Sequence, residues 1–144
     1  MKGNVLVIRG LKPGSRWCDK DRVLVYACFQ LLVDFMEQEK PQTIVDYEHD
    51  ATQRRQWREL RALYRYWKIE RPRDEQAIDR ALRRWSARHK TRLVPLPDGT
   101  GSRLEVLRTD RKAWQMLNRL ERAFARREDR MLRRLIDARH WLWC

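Results

Sequence analysis

A helical bundle of about four helices with a minor β element is the fold class this sequence predicts, on three observations. Apolar residues recur at helical spacing in four stretches, a short β-prone stretch with a Gly-containing turn interrupts them, and every helical stretch has aromatic or aliphatic residues to bury. At 144 residues the chain fits one helical domain, 1–144, able to form a core without a disulfide or structural metal.

Asn4 to Arg9 (NVLVIR) is β-prone and closes on Lys12-Pro13-Gly14, so residues 1–15 read as an N-terminal arm or strand. Asp19 and Asp21 then open a helix over 19–39, with apolar residues at 24, 27, 28, 31, 32 and 35. Val23, Val25, Phe29, Val33 and Met36 widen its apolar face almost all round, which predicts the buried centre of the fold. Gln30 and Asp34 form its polar strip, and Pro41 ends it. A second helix over 50–70 gathers Trp57, Leu60, Leu63, Tyr64 and Trp67 on one face and stops at Arg71-Pro72. A third over 74–89 aligns Ile78, Ala81, Leu82 and Trp85. Residues 92–107 read as a hairpin around PDGTG. Thr109-Asp110 caps a long C-terminal helix over 110–142, with Trp114, Leu117, Leu120, Phe124, Met131, Leu135, Ala138 and Leu142 inside. Arg127 and Glu128 interrupt that inner face, which predicts a bend or a departure from the core.

The net charge of +13 is unevenly spread. Residues 1–50 hold seven Lys/Arg against eight Asp/Glu, and residues 51–144 hold 26 against 12. The second region draws phosphate polymers or acidic protein surfaces without choosing among them. Arginine outnumbers lysine 26 to 7, a skew that codon drift alone can produce. Cys18, Cys28 and Cys144 are too far apart for zinc or redox spacing and read as reduced thiols. No run suits a secretory segment or a membrane span, which predicts a soluble intracellular protein with no membrane partner.

Two basic rows are the sharpest pattern. Arg54, Arg58, Arg61, Arg65 and Lys68 follow one side of the second helix, and Arg119, Arg122, Arg126, Arg130 and Arg133 one side of the last. Such rows can lie along phosphates, with nearby aromatics stacking on bases. The competing reading is a solvated face whose arginines pair with Glu59, Glu70, Glu121 and Asp129. Of the seven tryptophans, Trp57, Trp67, Trp85 and Trp114 fall on core faces, where burial is the commoner fate. Trp141 and Trp143 are candidate partner contacts or a terminal plug on the bundle. Asp46, Glu48, His49 and Asp50 place four oxygen or imidazole groups within five residues, as a metal-dependent nuclease would require. They match no metal-binding spacing, and Asp50 serves equally as a helix cap. His89 and His140 stand alone, and there is no phosphate loop, so no cofactor is implied.

Three stretches together, DKDRVLVYACFQLLVDFMEQEK at 19–40, ALYRYWKIERP at 62–72 and EDRMLRRLIDARHWLW at 128–143, resemble a family of small tailed-bacteriophage proteins without an assigned activity. In that family an aromatic pair precedes Arg-Pro, where this chain has Tyr66-Trp67 before Arg71-Pro72, and the chain ends in a leucine-rich helix. Trp141 stands where the family has a small residue. The resemblance implies a viral protein made in a bacterial host cytoplasm or carried in the virion, and transfers no chemistry. The expected function is that of a non-enzymatic accessory protein. Its arginine-rich helices would bind nucleic acid or an acidic host or virion protein. The alternatives are a nuclease at 46–50 and a structural virion component, with a homo-oligomer compatible with each.

Overall fold

The computed structural model describes residues 6–11 and 19–142. The chain divides into two compact units, one of the residues up to Glu70 with those from Glu128 onward, the other Arg71–Arg127.

In the first unit, α1 (Lys20–Asp34) ends in a wide π-helical turn, Phe35–Glu39. Lys40 then takes a left-handed conformation (φ 50°), and Pro41, which cannot continue a helix, opens a short 3-10 turn. Val25, Phe29 and Leu32 of α1 and Phe35 of the π-helical turn are buried against Leu60, Leu63 and Tyr66 and against Met131, Leu135 and Ala138. The aromatic pair of the ALYRYWKIERP stretch is structural here. Trp67 stacks on Phe29 at 4.5 Å with planes 2° apart and meets Tyr26 edge-on, while Tyr66 is 1 % exposed. Contrary to the expectation of an all-round buried helix, Leu24 and Leu31 are more than half exposed. A helix that is apolar on nearly every side gives its periodicity no direction, so its partners decide which strip is covered.

Residues 6–9 pair with no strand among the described residues, so the N-terminal segment is an arm there; Asn4 and Val5 of the expected strand lie outside them. The polar strip of α1 holds this arm. The Arg9 backbone N–H donates to Gln30 Oε1 at 3.2 Å, and Gln30, nearly fully buried, donates to Asp34 at 2.8 Å.

Among the described residues, helical stretches run over 20–39, 51–88 and 111–138, three where the sequence predicts about four. α2 (Ala51–Arg65), a second π-helical turn (Tyr66–Glu70) and α3 (Arg71–Arg88) follow one another directly, although Arg71-Pro72 reads as a stop. A proline inside a helix lacks an N–H and clashes with the carbonyl four residues back, here Lys68. That residue lies in the widened turn, where i→i+5 bonding relieves the conflict.

The second unit comprises α3, β1 (Lys90–Pro95), β2 (Ser102–Arg108) and the first part of α4 (Arg111–Ala138). The strands form the expected antiparallel hairpin, with Arg92 opposite Glu105 and Leu93 opposite Leu104. Its turn uses Gly99 at φ +70°, with Asp98 accepting from the Thr100 N–H and hydroxyl. The buried residues described here are Arg71, Ala113 and Leu117. Arg71 pairs with Glu75 at 2.7 Å and lies over the Phe124 ring at 5.1 Å. Leu82 and Trp114, expected in the core, are over 40 % exposed, as are Leu93, Leu104 and Val106 of the hairpin. Helical bonding in α4 continues through Arg127 and Glu128, where the division between the units falls.

Candidate nucleic-acid interface

Asp50 starts α2 by accepting the Gln53 N–H at 2.8 Å, which fixes where the face carrying Arg54, Arg58, Arg61, Arg65 and Lys68 begins. All five are exposed, but they are not equivalent. Lys68 pairs with Glu37 at 3.0 Å, Arg65 lies 3.4 Å from Glu70, and Arg54 donates to the Glu48 carbonyl oxygen. Arg58 and Arg61 make no hydrogen bond or ion pair with the described residues. Glu37 also accepts from the Tyr64 hydroxyl at 2.7 Å; this bond and Lys68 hold its carboxyl below the usual range.

Arg54, Arg58, Arg61 and Arg65 all line one groove of about 860 Å³, together with Met36, Trp57, Tyr64 and Ile69 and one carboxylate, Glu48. Trp57 is half-buried and stacks on the buried Tyr47, with centroids 4.6 Å apart and planes 14° from parallel. The groove therefore combines guanidinium groups with apolar surface. Trp57 reads as a core residue in the sequence, on the aromatic face that the arginine row flanks; the fold leaves part of its ring lining the groove.

In the second unit, Arg119, Arg122 and Arg126 line a cleft of about 650 Å³ with Arg111, Trp114, Gln115 and Asn118. The three arginines are exposed and without an ion pair among the described residues. Trp114 is 44 % exposed and rests against Trp85, which stacks in turn on His89 at 4.4 Å. Asp110 caps α4 by accepting the Ala113 N–H at 3.0 Å; that bond, with Arg88 second, lowers its carboxyl pKa. Arg111 and Trp114 join this surface without belonging to the basic row that spacing predicts. Their signal is modest: Trp114 lies five residues and Arg111 eight residues before Arg119, and the two stand three apart on one side of the helix.

Arg130 and Arg133, in the first unit, are exposed and unpaired among the described residues. Their neighbour Arg134 turns the other way and grips Glu59 through two bonds, Nε at 2.7 Å and Nη2 at 2.8 Å, holding the Glu59 carboxyl below its ordinary pKa. Of the carboxylates expected to neutralise the rows, Glu59 is engaged by a residue outside them, and Glu70 takes Arg65. Glu121 and Asp129 pair with no arginine among the described residues.

Asp46, Glu48, His49 and Asp50 do not converge. Asp46 accepts the Glu48 N–H at 3.0 Å in a local turn, and Asp50 caps α2. Among the described residues no group of three His, Cys, Asp or Glu side chains is placed to hold a metal ion. Trp141 is half-buried and packs on the first unit's core; Trp143 lies outside the described residues. No helix among the described residues is long and apolar enough to cross a membrane. No protein-family model, curated protein or solved structure matches this chain.

Proposed function

We propose that this is a non-enzymatic accessory protein of a tailed bacteriophage that binds nucleic acid in the host cytoplasm or the virion. The observation that carries the reading is the recurrence, in each unit, of arginines unpaired among the described residues beside a partly exposed tryptophan: Arg58 and Arg61 with Trp57, and Arg119, Arg122 and Arg126 with Trp114. Guanidinium groups without internal carboxylates keep their charge for an external anion, and phosphate contacts release counterions. The phage assignment rests on the three quoted stretches alone.

An acidic host or virion protein is the second reading, favoured by Leu93, Leu104 and Val106, which are exposed on one face of the hairpin. Fluorescence polarisation with labelled single-stranded DNA, duplex DNA and RNA at physiological salt separates the two. Submicromolar binding that is lost when Arg119, Arg122 and Arg126 are changed to Glu supports the nucleic-acid reading. Absence of binding to all three polymers rejects it and directs attention to acidic proteins.

A further inference from the structure

The α2 groove has a lining that a duplex backbone does not require. Phosphates of a double helix are met by exposed cations on a helix surface, and the bases behind them stay stacked on one another. Here Arg54, Arg58, Arg61 and Arg65 border apolar surface from Met36, Trp57 and Ile69. Apolar surface between cations has a counterpart only in a ligand that presents apolar faces between its charges. An unpaired nucleic-acid strand does so at every nucleotide.

The arginines are also spread rather than gathered. From Arg54 to Arg65 the helix rises about 16 Å, so the charges form a line, as suits a polymer of single phosphates. A lone phosphorylated side chain would call for guanidinium groups converging on one point. Tyr47 covers one side of the Trp57 ring and fixes its plane, and Trp57 lines the groove with what remains exposed. A ring already held in place loses little freedom when a base stacks on it.

We infer that the α2 groove is a site for single-stranded nucleic acid, with a base stacked against Trp57 and the flanking phosphates held by Arg58 and Arg61. This rests on the nucleic-acid reading above and narrows it to unpaired strands at one place.

The test uses the full chain labelled with 5-fluorotryptophan, its Trp57 resonance assigned through Trp57→Phe. The probes are an oligothymidylate of about ten nucleotides, a duplex of equal length, and polyglutamate of matched charge. The expected result is that the oligothymidylate binds about tenfold more tightly than the duplex and shifts the Trp57 resonance. Ala62→Glu, which sets a carboxylate within the groove lining, should weaken that binding at least tenfold while the other fluorine resonances keep their positions. Equal or tighter duplex binding, or a Trp57 resonance that stays put, overturns the single-strand site and leaves the broader reading standing. Failure of every nucleic acid to bind overturns both. Polyglutamate that binds equally well and moves Trp57 also overturns the site, in favour of an acidic protein ligand.

Discussion

Trp57 lies almost flat on Tyr47, 4.6 Å between ring centroids, so the indole beside the arginines of α2 is held by a ring from the loop before the helix. Aromatic stacking of this kind contributes beyond the area it buries. Tyr47→Leu should lower unfolding free energy by about 1–2 kcal/mol, read from denaturant midpoints, and weaken single-strand binding several-fold. Weakened stability with unchanged binding would show that the indole needs no support to act.

The Arg134–Glu59 fork joins α4 to α2 within the first unit, and Arg134 holds the Glu59 carboxyl pKa down. A carboxylate with a depressed folded-state pKa stabilises above its unfolded value and loses that contribution as pH falls through the folded one. The expected result is a coupling of about 1 kcal/mol at neutral pH, modest because both groups are partly exposed. A double-mutant cycle with Glu59→Gln and Arg134→Met, repeated as pH is lowered, should show the coupling vanish on the acid side. Coupling that persists in acid would mean packing, not charge, joins the pair.

Gly10 takes φ +86°, and a Cβ there would come 3.1 Å from the Tyr26 ring. Gly99 takes φ +70° with nothing within 4 Å of an added Cβ. Both Gly→Ala changes carry a backbone cost of about 1 kcal/mol, but only Gly10→Ala must also displace a packed ring. Thermal melting should therefore drop further for Gly10→Ala than for Gly99→Ala, and the reverse order would show that the Tyr26 contact gives way freely.

Asp50 caps α2, so Asp50→Ala should cost about 1 kcal/mol of stability and Asp50→Asn should recover most of it. If the loop were a nuclease centre, both changes would instead abolish a metal-dependent cleavage of DNA. Incubating the three proteins with plasmid and magnesium or manganese separates the outcomes.

Local rules carried the sequence a long way. Asp50 and Asp110 as caps, the hairpin around Asp98-Gly99, and the end of the first helix before Pro41 all follow from the chemistry of neighbouring residues. Pro72 reads as a stop because the π-helical turn at Tyr66–Glu70 that lets the helix continue past it has no signal in residue spacing. The outward stripe of Leu24 and Leu31 was hidden by apolar residues on every side of α1. The arginine rows were legible as spacing, yet their inequality was not. Lys68 and Arg65 are tied to Glu37 and Glu70, and Arg134, one residue beyond Arg133, faces Glu59 across 75 positions of sequence. Periodicity sets Trp57 and Trp114 on core faces, because spacing alone does not say how deep a face is covered.

The α2 groove is tested by the salt dependence of oligothymidylate binding by the native protein and by Arg58→Ala/Arg61→Ala. Neither arginine has an internal partner among the described residues, so stability should stay within about 0.5 kcal/mol. Each lost phosphate contact removes about 0.7 from the slope of log K against log salt, so the double variant should bind more weakly with a slope shallower by about 1.4. An unchanged affinity and slope would exclude the groove as the strand's site and leave these arginines as solvated charges on the helix surface.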